Sequence, residues 1–264
     1  MSTCSVEIAG PVATLWLDRP DKRNALNDAL MRDLSAALDG IRDDMSLRVV
    51  VLRGRGPVFS SGIDHSLLME VMQKSRSVPF LHLHHDLQDV FHRIERLQRP
   101  VVAVLQKACV GMALELALAC DFRVATADCV LGLPEIAFGI VPDVGGTTRL
   151  HRAVGPVRAK DLIMTGRLVR GTTAERIGLV NECGENEADL ERRVTRLVER
   201  LATHPPLAVG LSKSLCAAAA DSDAGTSFRL EGVYQQLLMS NPEMLAAQFP
   251  KALEFIKARM ADAE

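Results

Sequence analysis

The 264-residue chain has no surplus of charge of either sign: its formal net charge is −2, and acidic and basic residues are mixed along its length. This removes the electrostatic footprint on which nucleic acid or an anionic membrane surface depends, and leaves a small molecule as the default partner. The opening MSTCSVEIAG lacks a basic segment followed by an apolar one, and Lys107 and Glu115 interrupt the most hydrophobic stretch, residues 101–120. Neither an export signal nor a membrane span is therefore expected, and the expected location is cytoplasmic. The six cysteines (Cys4, Cys109, Cys120, Cys129, Cys183, Cys216) form no C-x-x-C pair. Reduced thiols acting as small hydrophobes fit that scatter better than a disulfide framework or a zinc site.

Several catalytic signatures are missing as well. GRGPVFSSG at 54–62 starts like a dinucleotide fingerprint but has Phe59 where a glycine is required. No G-x-S-x-G elbow and no G-x-x-x-x-G-K-[ST] loop occurs, so serine-nucleophile and phosphoryl chemistry lose support. His82, His84, His85 and His92 cluster within 81–92, but their spacing provides neither H-E-x-x-H nor a second ligand set. A solvated or pocket-lining helix face is the reading, and no metal is expected.

What is present is an α/β pattern. Residues 6–8 and 12–17 read as strand, turn and strand around AGP; Leu30, Leu34, Leu38 and Ile41 recur at helical spacing behind Asn27, a good N-cap. Buried strands are expected at 49–52 and 101–105 and a short one at 122–125, with helices starting near Asp64 and across 112–121. This alternation predicts a parallel sheet covered by helices, with sites in the loops at the carboxyl ends of the strands. After about residue 150 the pattern is nearly all helical, with candidates at 158–165, 173–177, 187–203, 206–219, 224–239 and 250–260. No repeat or linker cuts the chain into independent domains.

The carboxylates carry the chemical signal. SSGID at 60–64 and VGMALE at 110–115 each run from a glycine into a helix, presenting backbone N–H groups at a positive helix end. Such donors either serve as ordinary loops and caps or converge into an oxyanion hole. Glu115 lies one turn beyond Met112 among leucines and alanines, as a catalytic acid or as a structural partner of Arg123 or Arg149. Glu135 and Asp143 stand in the otherwise uncharged LGLPEIAFGIVPDVGG; two carboxylates flanking one substrate can give and take a proton when their pKa values differ. Asp143, in PDVGG, is equally placed to cap a helix near 147–150.

Together LDRPDKRNALN at 17–27, VFSSGID at 58–64, GMALELALACDFRVA at 111–125 and LGLPEIAFGIVPDVGGTTRL at 131–150 resemble the enoyl-CoA hydratase/isomerase, or crotonase, superfamily, in register from about residue 5 to 185. The resemblance implies an α/β fold, a crotonase-like spiral of repeated ββα units: a core with the coenzyme A and acyl site over 1–200 and a C-terminal helical trimerisation region over 201–264. It implies an acyl-CoA thioester substrate, with coenzyme A part of the substrate and no separate cofactor, and a homotrimer or hexamer (a dimer of trimers). The thioester oxygen would be held by the N–H groups of Ile63 and Met112, the latter standing where many members have glycine. Glu115 and Glu135 would hold one water for addition to a trans-2-enoyl thioester. Asp143, where hydratases commonly have glycine, points instead toward a double-bond isomerase working with Glu135. A non-catalytic acyl-CoA-binding or RNA-binding homologue is a third reading. Lys22, Arg23, Ser61, Ile63, Asp64 and Gly111, with Phe255 and Lys257 of a terminal helix, would serve the coenzyme A end.

Overall fold

The structure is a computed structural model that describes residues 2–74 and 80–261. β1 (Cys4–Ala9) and β2 (Val12–Leu17) open the chain as an antiparallel pair, turned through Gly10 at a φ of +55°. There follow α1 (Asp28–Arg42), β3 (Val49–Gly54), α2 (His65–Lys74), α3 (Phe80–Arg96), β4 (Val101–Leu105), β5 (Ala108–Val110), α4 (Met112–Leu118) and β6 (Phe122–Thr126). Then come β7 (Val130–Gly132), α5 (Gly146–Thr165), β8 (Val169–Arg170), α6 (Gly171–Arg176), β9 (Glu182–Gly184), α7 (Glu187–Thr203), α8 (Pro206–Ala219), α9 (Ala224–Met239) and α10 (Pro242–Ala261).

One sheet has the order β1-β2-β3-β4-β6-β9 and is parallel from β2 onward; a second has the order β5-β7-β8. Side chains alternate across a strand, so the central strands, buried on both faces, supply two cores. Val50, Leu52, Ala103, Leu105 and Ala125 face the large core with α1, α3 and α4. Their neighbours Val49, Val51, Val102, Val104 and Val124 pack against Leu190, Val194 and Leu197 of α7.

The parallel sheet and the α/β class agree with the sequence pattern. Asn27 caps α1, its side chain accepting from the Leu30 N–H, and α7, α8 and α9 have the boundaries expected of them. Two expectations are corrected. The helices expected near 147–150 and at 158–165 are longer and nearly continuous, one run over Gly146–Thr165 broken at Gly155 before Pro156. The last helix starts at Pro242 and carries Pro250 inside it, rather than starting at 250.

The chain divides into two compact units, Met1–Gly210 and Leu211–Glu264. In the second, no residue of α9 is buried, and Phe228, Val233, Leu237, Phe249 and Met260 are exposed. Among the described residues no helix is long and apolar enough to cross a membrane.

A buried asparagine ties the loop after β3 to the opening segment. Asn24, fully buried at a φ of 51°, donates through Nδ2 to the carbonyls of Arg55 (2.8 Å) and Val58 (2.9 Å) and accepts from the Arg19 N–H (2.9 Å). Asn24→Ala leaves those three groups without a partner in a left-handed conformation that alanine tolerates poorly, and should cost about 2–4 kcal/mol. Urea unfolding checks this: the midpoint should fall while the slope stays constant.

Candidate active site

The first element of the site is a meeting of two loops. Ser60 bridges in parallel to Cys109 of β5, the Ser60 N–H donating to the Ala108 carbonyl at 3.1 Å, and the Ser60 hydroxyl donates to the Asn24 carbonyl at 2.7 Å. This lays residues 58–64 along the strand that leads into α4. The contact is close because residue 62 is glycine: a Cβ there would lie 2.5 Å from the Val110 carbonyl oxygen and 3.8 Å from the Met112 nitrogen, and its φ is +96°. Leu26 pairs with Ile63 through the Leu26 N–H to the Gly62 carbonyl and the Asp64 N–H to the Leu26 carbonyl, both 2.8 Å. In a parallel bridge that pattern turns the Ile63 N–H away from Leu26. Met112 is the first residue of α4, whose opening N–H groups have no partner within the helix. Among the described residues neither N–H donates to a protein acceptor.

One turn along α4 lies Glu115, 2% exposed. It pairs with neither arginine considered from the sequence: Arg123 donates to the carbonyls of Leu179, Ala117 and Cys120, and Arg149 binds Glu95 and the Val144 carbonyl. Two backbone dipoles hold Glu115 instead, Val144 N–H at 3.1 Å and Gly146 N–H at 2.8 Å, both on Oε1. Gly146 is obligatory for this approach, since a Cβ there would sit 2.5 Å from that oxygen. Burial first, then the nearby charges of Glu135 and Asp143, push the Glu115 carboxyl up to about 8, against the pull of the two N–H donors.

Glu135 follows Pro134 at the start of a short 3₁₀ turn, residues 135–138, after β7. Its Oε1 lies 3.3 Å from where a Cβ of Gly111 would be, which places the carboxylate beside the entry to α4. Among the described residues its buried Oε2 has no hydrogen-bond partner. Burial, then the charge of Asp143, raise its pKa above the ordinary 4.5. Asp143 does not cap α5, contrary to one of its expected roles: the N-cap is Gly145, with no side-chain cap. The structure thus brings Glu115, Glu135 and Asp143 into one electrostatic neighbourhood, with no Lys or Arg paired to either glutamate among the described residues. Such a site can give and take protons near neutral pH.

The remaining candidates are dispersed. Lys22 and Arg23 are exposed around a short turn, and Ser61 is exposed beside Gly62. Asp64 is engaged, accepting from Arg19 Nη1 (2.9 Å) and from the Ser66 N–H and hydroxyl, which hold its carboxyl down at about 2. Phe255 and Lys257 lie exposed on α10 in the second unit. His85 and His92 lie on α3, whereas the side chains of His82 and His84 fall outside the described residues. Sequence reasoning did not single out Val144, Gly146, Glu95 or Asn24; the GG doublet at 145–146 was the available signal for the turn.

Comparison with known proteins places the chain in a family and a fold. Residues 7–245 match the enoyl-CoA hydratase/isomerase family. An enoyl-CoA isomerase/hydratase of Mycosarcoma maydis is 34% identical over 247 residues, covering 89% of this chain and 88% of that protein. The crystal structure of an enoyl-CoA hydratase from Thermoplasma volcanium superposes with a TM-score of 0.86 at 28% identity, over 95% of this chain and 97% of the other. A Thermobifida fusca protein solved with acetoacetyl-CoA gives a TM-score of 0.81 at 27% identity, over 91% and 96% of the two chains.

The raised Glu115 pKa links the site to stability. The folded chain keeps on Glu115 a proton that the unfolded chain releases near pH 4.5, so stability falls as pH rises from about 4.5 to 8. Glu115→Gln removes that titration while keeping an acceptor oxygen. Its melting temperature relative to wild type should therefore rise between pH 5 and pH 9, by several degrees (about 2 °C per kcal/mol for a chain of this size). Thermal unfolding across this range checks it, and a difference independent of pH would refute the raised pKa.

Proposed function

The chain belongs to the enoyl-CoA hydratase/isomerase family, and on that premise we propose that it is a hydratase adding water across the 2,3 double bond of a trans-2-enoyl-CoA. The observation that carries this is the buried Glu115 and the half-buried Glu135 in one electrostatic neighbourhood, neither facing a cation among the described residues, with the Ile63 and Met112 N–H groups donating to no protein acceptor there. The N–H groups of Ile63 and Met112 take the thioester oxygen and stabilise the enolate charge that develops on it. The reaction needs the glutamate pair to hold one proton, and the raised pKa of Glu115 supports this near neutral pH. One carboxylate removes a proton from the bound water as its oxygen bonds to C3, and the other carboxyl delivers its proton to C2. The pair ends with its single proton on the opposite partner, and exchange with solvent restores the starting state.

Coenzyme A enters as part of the substrate, as in the acetoacetyl-CoA complex of the Thermobifida fusca protein. Lys22, Arg23, Ser61, Ile63, Asp64 and Gly111 are assigned to its path, with Phe255 and Lys257 assigned to the same role across a subunit boundary. The exposed apolar residues of α9 and α10 are assigned to self-association as a trimer or hexamer, since a helical unit with so much bare apolar surface calls for a partner.

Asp143 supports a second reading. Its charge acts on both glutamates, and with Glu135 it could carry a proton along the acyl chain of a 3,5-dienoyl- or 3-enoyl-CoA. Turnover of crotonyl-CoA and of a 3,5-dienoyl-CoA by wild type, Glu115→Gln, Glu135→Gln and Asp143→Asn separates the two. Hydration predicts losses of about 10²–10⁴-fold in crotonyl-CoA kcat for either glutamine variant and less than about 10-fold for Asp143→Asn. The wild-type kcat/KM profile should be bell-shaped, with its upper limb near pH 8 from Glu115. Turnover of the dienoyl substrate alone, abolished by Asp143→Asn, would replace hydration with isomerisation. Tight acyl-CoA binding without turnover of either would point to a binding protein.

A further inference from the structure

We infer that Glu95 and Arg149 are positioning residues for Glu115, acting through the turn at 143–146. Arg149 is buried, yet it is not the counter-ion of Glu115. Its Nε and Nη2 each donate at 2.8 Å to Glu95 of α3, and its Nη1 donates at 2.8 Å to the Val144 carbonyl. The N–H groups of Val144 and Gly146 in the same turn donate to Glu115 Oε1. The turn is thus gripped at a carbonyl by the guanidinium while it presents two N–H donors to the glutamate. The grip is close: a Cβ on Gly145, whose φ is +96°, would lie 2.1 Å from Arg149 Nη1. Helix α3 holds the turn a second time, Gln88 Nε2 donating to the Asp143 carbonyl at 2.9 Å.

The charge arrangement explains why an arginine serves here through an intermediary. A guanidinium placed directly on Glu115 would favour the carboxylate strongly and hold its pKa low. Engaged bidentately by Glu95, the guanidinium forms a neutral pair whose planar fork fixes geometry, which a lysine cannot reproduce. Glu115 then receives dipoles rather than a full charge. The charged groups around it are Glu135, Asp143 and this neutral pair, while Arg123 is spent on three carbonyls.

This inference rests on the proposed catalytic use of Glu115, so its test has one readout with turnover and one without. The variants are Arg149→Lys and Glu95→Gln, with circular dichroism and thermal unfolding to show the folded fraction. In Arg149→Lys, releasing the turn removes N–H donors that lower the Glu115 pKa, so that pKa should move up; in Glu95→Gln the unpaired guanidinium adds a positive charge near Glu115, so there it should move down. With crotonyl-CoA, kcat should fall by about 10-fold or more with KM changed less than about 3-fold. The upper limb of the pH profile should move up by about half a unit or more in Arg149→Lys, and down in Glu95→Gln, where the guanidinium has lost its counter-charge and favours the Glu115 carboxylate. NMR of isotope-labelled glutamate carboxyls reads the same titration without substrate, the Glu115 signal being the one lost in Glu115→Gln. A pKa unshifted in folded variants overturns the inference, as does a loss of activity that only tracks the folded fraction. If Arg149→Lys does not fold, Glu95→Gln decides, by a downward shift and the same fall in kcat. Unimpaired turnover by Glu115→Gln, with the NMR shift still present, would sink the catalytic reading and leave the positioning intact.

Discussion

A carboxylate buried without a cation is the constraint around which the rest of the site is arranged. Glu115 sits in a helix whose seven residues are all buried, and the only hydrogen bonds to its carboxylate among the described residues come from backbone N–H groups of another segment. An ion pair would be the common way to tolerate such a group, and it would keep the carboxyl ionised across the physiological range. Two dipoles hold it less firmly than a full charge, and the carboxyl rises to about 8. That value, unhelpful to folding above pH 4.5, is what acid–base work near neutrality requires.

The fold delivers this geometry through chain segments that leave the carboxyl ends of strands. The 58–64 loop follows β3, Gly111 and α4 follow β5, and Glu135 follows β7. The two sheets meet at this place because Ser60, just past the six-stranded sheet, bridges to β5 of the three-stranded one. Asn24 and Ser60 pin the loop from below, and Gly62 allows it to reach the Met112 nitrogen. Gly62 and Met112, far apart in sequence, are brought close by contacts that involve neither the Ile63 nor the Met112 N–H directly.

Much of this was legible in the residue pattern, and what was not had a common cause. The buried strands, the Asn27 cap and the spans of α7, α8 and α9 follow from local periodicity and capping chemistry. The family is legible from four ordered motifs, and the comparisons agree. The turn at 143–146 was expected, but of the two readings of Asp143 the capping one fails, because a local rule, an aspartate before a helix, competes with a tertiary one. Glycine at 145 takes the left-handed cap so that Arg149 can close on the backbone, and glycine at 146 leaves room for Glu115. Pro250 was misplaced as a helix start for a similar reason, since local chemistry cannot tell the first turn of a helix from an interior position in one already under way.

Asp143, released from the cap, changes the electrostatics of its neighbours. Each further carboxylate in a low-dielectric site raises the free energy of ionising the others, so a third acid widens the pH range over which the glutamate pair retains a proton. Its presence raises both Glu115 and Glu135. If the pair works by exchanging a single proton, then Asp143 has a part in either reaction reading: as a transfer group along the acyl chain, or as a fixed charge that keeps the pair singly protonated. The substrate that reaches the site, and the depth to which its acyl chain extends toward Asp143, then decide which of these parts is used.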